Sequence, residues 1–148
     1  MGRERPRPKA AEVIRDCIAT RLRMADRVIT KVYDDALRPL GLKVTQMSML
    51  VVAEDRGLIR QSEVGAELQL DDSTLSRNLE RMRANGWLEE VPGDDARVHS
   101  YQLTEAGRTL LDKALPAWRG AQGEAQRLLG DAGVQALRRF AREQGFGG

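Results

Sequence analysis

Cysteine and histidine each occur once in this chain of 148 residues, as Cys17 and His99. A lone cysteine excludes an internal disulfide framework. One imidazole with no thiol beside it leaves no cluster for a zinc or copper site, so neither metal nor cofactor is expected. Aromatic residues make up 4% of the chain, too few for an aromatic-rich sandwich or barrel, while Ala, Leu, Arg and Glu favour helices. No run approaches the roughly 18 apolar residues of a membrane span, and the basic, proline-interrupted start is not followed by the apolar core of a signal peptide. The expectation is a cytoplasmic protein with no membrane partner. Paired carboxylates and a glycine-rich phosphate loop are also missing, and Cys17 and His99 fall in different regions, so the chain is not expected to be an enzyme.

The hydrophobic share, 41%, suffices for one modest core, and the length fits a single domain. Net charge is only +2. Basic residues prevail through residue 60 and acidic ones after it, so a nucleic-acid face in the second half must be a local patch.

Residues 1–10 read as a disordered basic arm. From residue 11, Ile14, Ile18, Leu22, Ala25, Ile29, Val32 and Ala36 recur at helical steps, predicting one long first helix that Pro39 and Gly41 stop. Further helices are expected over 45–54, 61–68 and 71–85. The last begins on Asp71 or Asp72 as cap, turns Leu75, Leu79 and Met82 to the core, and ends at Asn85-Gly86. Residues 87–91 and 97–103, around the turn 92–96, read as a β-hairpin and carry the only strong strand signal. Thr104 caps a fifth helix to about residue 129, bent at Pro116, and Asp131 caps a sixth.

Two helices across a short turn, followed at once by a hairpin, are the order of a helix-turn-helix with a wing. On the face of helix 71–85 away from Leu75 and Leu79 stand Ser73, Thr74, Ser76 and Arg77, with Arg81 beyond them. Such groups bond to phosphates and base edges, although hydroxyls that begin a helix and arginines on a solvated face account for the same pattern. A winged helix that only docks other proteins is a further alternative; it calls for an uncharged or apolar second helix, which Arg77 argues against.

The hairpin carries a resemblance. Asp95-Ala96-Arg97 followed by Leu103-Thr104-Glu105-Ala106-Gly107 resembles the wing signature of the multiple-antibiotic-resistance-regulator (MarR) family of bacterial winged-helix transcription factors. The stretch 70–79, Gly86-Trp87-Leu88, the stretch 41–46 and Leu115-Pro116-Ala117-Trp118 are similar to that family as well. The resemblance implies a mainly α winged helix-turn-helix in which residues 41–103 form the DNA-binding lobe. Residues 11–40 and 104–148 would form an intertwined helical dimerisation region. It further implies a homodimer, acting as repressor, that reads a near-palindromic double-stranded operator through helix 71–85 and wing 88–103, with Asp95 orienting Arg97 for the minor groove. Three departures bear on binding strength: Asp72 beside the phosphates, Arg60 where a Ser or Thr cap is usual with Ser62 as substitute, and Glu89 and Glu90 in place of a basic residue.

The resemblance also implies release by a small aromatic or phenolic effector. Arg21, Arg27, Tyr33, Met47 and Trp118 are the candidate cleft residues, against the commoner reading of each as dimer or lobe packing. Cys17 resembles the sensing cysteine of the family's organic-hydroperoxide branch, with Arg21 one turn away where that branch has tyrosine. Arg27 and Tyr33 are offset by two residues, about 200° of helix. Cys17 is therefore either a small core residue or a redox sensor that cross-links only between subunits.

Overall fold

The computed structural model describes residues 8–146, in two compact units that divide after Lys31. Helix α1 spans Pro8–Asp16 and α2 spans Ile18–Leu37. The first seven residues of the expected disordered arm lie outside the described residues. Its last three are helical, since proline is tolerated at a first helical position, where its missing N–H is not needed. The single first helix is interrupted at Cys17, between α1 and α2. The interruption is confined to that residue: Cys17 N–H still bonds to Val13 and Arg21 N–H to Cys17. Within this first unit the apolar stripe is uncovered, with Ile14 and Ile18 each 71% exposed.

In the second unit, a 3₁₀ turn over Arg38–Leu40 ends at Gly41 and leads into α3, Val44–Arg56. Asp34 accepts the Val44 N–H at 2.8 Å, satisfying one of the free donors of the first turn. Next come β1, Leu58–Arg60, α4, Gln61–Leu68, and α5, Asp72–Ala84. Strands β2, Leu88–Val91, and β3, Ser100–Leu103, form the wing. Strand β1 adds to the expected hairpin, giving an antiparallel sheet of order β1-β3-β2 with Ile59 opposite Tyr101 and Leu88 opposite Leu103. Three residues with one buried side chain, Ile59, make too short a signal to read as a strand, and its partner lies far along the chain.

The run Glu105–Glu143, taken together as α6, holds the expected fifth and sixth helices, and a kink at Gly130 (φ 69°, ψ 164°) divides them at the expected boundary. That conformation is open essentially to glycine alone, while Pro116 keeps helical φ and ψ. The core gathers Leu50 from α3, Ile59 from β1, Val64 from α4, Leu75, Leu79 and Met82 from α5, and Leu111 from α6. Burying each such large side chain is worth about 1.5–3 kcal/mol, so α5 is held by its inner face and its outer face is left to solvent.

One junction closes this unit. The Thr104 hydroxyl donates to the Gly86 carbonyl at 2.6 Å and accepts the Gly107 N–H at 3.0 Å, while the Thr104 N–H bonds to the Trp87 carbonyl at 3.1 Å. A Cβ on residue 107 would stand 2.2 Å from the Trp87 oxygen and 3.1 Å from Leu103 Cγ. Gly107→Ala is therefore expected to exceed the ~1–3 kcal/mol of ordinary overpacking, because the obstacle is backbone. Thr104→Ala should cost about 1 kcal/mol, the worth of one cap. Urea midpoints of the two variants check both values, and equal stability of Gly107→Ala and wild type would contradict the close approach.

Candidate nucleic-acid interface

The outer face of α5 starts from its cap. The Asp71 carboxylate accepts the Thr74 N–H at 2.8 Å, the Ser73 hydroxyl at 2.7 Å and the Thr74 hydroxyl at 2.8 Å. Those bonds, the Thr74 N–H foremost, hold its carboxyl well below the usual carboxylate range. Of the two expected candidates Asp71 is therefore the cap, and Asp72 is the first helical residue, exposed. The protons of Ser73 and Thr74 are committed to Asp71, so outward these two side chains present lone pairs, which phosphate oxygens cannot use.

Ser73, Ser76 and Arg77 lie on one side of α5, three and four residues apart, with Arg81 one turn further; all are exposed. The Ser76 hydroxyl accepts from the Gln61 side chain at 3.0 Å. Gln61 itself begins α4, and its backbone N–H bonds to the His99 carbonyl at the foot of the wing. At Arg60 no side-chain cap forms, and Ser62 does not substitute; the Arg60 N–H is accepted by Glu63 at 3.2 Å.

In the wing, Asp95 clamps Arg97 three times: the Arg97 N–H at 3.0 Å and the guanidinium at 3.2 and 3.4 Å. The Arg97 side chain is nevertheless 91% exposed, so the guanidinium is oriented without being covered. The two wing glutamates, expected to repel a polyanion, are occupied within the sheet. Glu89 accepts from Gln102, and Glu90 bonds to His99 Nδ1 at 2.7 Å and pairs with Arg83 at 3.5 Å. His99 is the main cause that lowers the Glu90 carboxyl.

Arg97, His99, Gln61, Gln69 and Asp71 line one cleft of about 780 Å³, which brings the wing and the start of α5 to the same opening. Of the residues expected to form an effector cleft, Met47 and Trp118 meet in an apolar cavity of about 440 Å³ with Val44, Val51 and Leu115. Tyr33 is not among its lining residues; its hydroxyl donates to Gln122, and burial raises its pKa. Arg21 and Arg27 are exposed within the first unit. Cys17 is partly exposed, and the Thr20 hydroxyl, followed by the Thr20 N–H, holds its thiol below the ordinary value. Gln61 and the Arg83–Glu90–His99 tie are the residues that spacing alone does not reveal, because their partners come from three elements far apart in sequence.

The MarR family model matches residues 40–97. Among solved structures, the chain is similar to the M. tuberculosis transcriptional regulator MosR in complex with DNA. The two are 39% identical with a TM-score of 0.76, over 88% of this chain and 94% of that one. A cysteine-to-serine variant of MarR from E. coli complexed with operator DNA shares the fold at 20% identity and TM-score 0.77, over 89% of this chain and 96% of that one. The uncharacterized transcriptional regulator YwoH of Bacillus subtilis is 32% identical over 79 residues, 53% of this chain and 58% of that protein. The chain thus spans less than two thirds of the curated relatives it matches.

The Asp95 carboxyl lies below its usual value chiefly through the backbone N–H of Arg97 and next through its side chain. A depressed carboxyl supports the folded wing above the ordinary carboxylate pKa of about 3.9 and loses that support as pH falls through its own lower value. In a ¹³C-detected titration, Asp95 is expected to protonate below the ordinary range. It should return only part way in Arg97→Ala, since the N–H remains. Titration at the ordinary value would mean that the clamp does not form in solution.

Proposed function

The chain belongs to the MarR family, and from that premise we propose that it is a homodimeric, sequence-specific DNA-binding transcriptional regulator of the cytoplasm, acting as a repressor on a near-palindromic operator. The observation that carries this reading is the exposed side of α5, with Ser73, Ser76, Arg77 and Arg81 and the half-buried Thr74, together with a clamped, outward Arg97 whose cleft takes in Asp71 and Asp72 at the start of that helix. An α-helix fits the major groove, where an arginine bonds to guanine O6 and N7, and an oriented guanidinium suits the narrower minor groove. The exposed Ile14, Ile18, Leu22 and Val28, and separately Leu137 and Phe140, support dimerisation, since that much apolar surface drives association. An aromatic or phenolic effector is proposed for the cavity at Met47 and Trp118 in the second unit.

Selection from random DNA followed by titration tests the reading. A near-palindromic site is expected, bound by one dimer. Arg77→Ala should lose about 1–3 kcal/mol per half-site together with base preference. Arg97→Ala should weaken binding with less effect on preference, and affinity should fall with salt by about 0.9 log units per decade for each phosphate neutralised. Affinity indifferent to salt and to Arg77→Ala would overturn the assignment.

A second reading, redox control, is favoured by the lowered thiol at Cys17, which stands at the N-terminus of α2 rather than buried as a core side chain. It expects peroxide to release DNA reversibly from the wild type and not from Cys17→Ser. Identical peroxide responses of the two in a shift assay would remove it.

A further inference from the structure

Gln61 touches three parts of the reading head at once. It is the first residue of α4; its backbone N–H holds the His99 carbonyl at 3.1 Å, and its side-chain amide donates to Ser76 Oγ at 3.0 Å, in the middle of α5. A serine hydroxyl has one proton and two lone pairs. With one lone pair taken by Gln61, its proton is directed away from Gln61, and among the described residues no acceptor for it is found within the chain. Ser76 is exposed and shares its side of α5 with Arg77, so that proton is available to a ligand lying along the helix. Ser73 and Thr74, one turn earlier, have the opposite polarity, because Asp71 takes both of their protons.

We infer that Gln61 is a positioning residue for base readout: it makes Ser76 a hydrogen-bond donor, so that Ser76 selects a base edge bearing an acceptor, such as thymine O4 or guanine O6 and N7. This rests on the reading that α5 enters the major groove, where those atoms are exposed. Gln61 acts on that choice through Ser76. Its bond to the His99 carbonyl ties its place to the wing, so the polarity of Ser76 is set by the wing and α4 together.

The test uses the full chain and the site selected by the wild type, with every base pair of one half-site permuted. Ser76→Ala should flatten preference at one base pair. Gln61→Ala should reduce preference at that same pair by about two- to tenfold, the worth of one neutral hydrogen bond, with no further loss in the double variant. Gln61→Glu should turn preference there toward a base bearing an amino group, because a carboxylate takes the Ser76 proton; its added charge lowers affinity for all sequences alike and is separable on that ground. It also keeps the test open if Gln61→Ala fails to fold. The inference is overturned if Gln61→Ala or Ser76→Ala weakens every sequence equally, if the two act additively at different pairs, or if Gln61→Glu leaves the preference unmoved. A wild type that selects a site while the Gln61 variants keep its preference overturns this inference alone. A wild type without any sequence preference overturns the DNA-reading assignment as well.

Discussion

The close approach of the Trp87 carbonyl to Gly107 is the constraint on which the second unit depends. The four residues that make it possible come from three places in the chain: Gly86-Trp87 leaves α5, Thr104 follows the wing, and Gly107 sits in the first turn of α6. Thr104 alone supplies a cap to α6 and a bond back to the exit of α5. Because a side chain at residue 107 would occupy the space of a backbone oxygen, the approach is set by covalent geometry as much as by attraction. The orientation of α5 is thereby coupled to that of α6. A shift at either end must be shared by both, since a packed junction of this kind does not deform continuously.

Charge is used in the opposite way from the simple expectation that acidic side chains near a DNA-binding face must weaken it. Asp71, Glu90 and Asp95 each accept bonds from neighbours that would otherwise wander: the first turn of α5, the His99 and Arg83 pair, and the Arg97 guanidinium. Exposed pairs of this type add little to stability. Their effect is on direction. A long side chain such as arginine loses rotamer freedom when it contacts a ligand, and one already oriented loses less, so the clamp at Asp95 favours binding through preorganisation. Asp72 is the exception, being exposed with no bond of this kind among the described residues.

Most of the second unit is legible in the sequence because its signals are local. Helix periodicity, the Asp71 cap, the Asn85-Gly86 stop and the Thr104 cap depend on residues within one turn of each other, and all four stand where spacing puts them. Strand β1 is not legible, since its pairing partner β3 lies about forty residues on and only Ile59 is buried. The interruption at Cys17 escapes for a different reason: the apolar stripe runs through it unbroken, and a hydropathy pattern does not register a break of one residue in the backbone. The division at Gly130 is legible, since a glycine followed by the capping residue type Asp131 is a local signal, and the glycine there adopts a conformation that other residues rarely reach.

The interface is harder to read than the fold because residue type does not determine what a hydroxyl offers. Ser73, Thr74 and Ser76 look alike in sequence, yet Asp71 consumes the protons of the first two and Gln61 fills a lone pair of the third. The acceptors come from the helix's own cap and the donor comes from a neighbouring helix, so one is written within a tetrapeptide and the other only in the tertiary fold. A recognition surface built this way can change its hydrogen-bonding pattern without any change on the surface itself. Substitution at residue 61, on the neighbouring helix α4, alters what residue 76 presents, and the His99 carbonyl that holds residue 61 places the wing in the same chain of dependence.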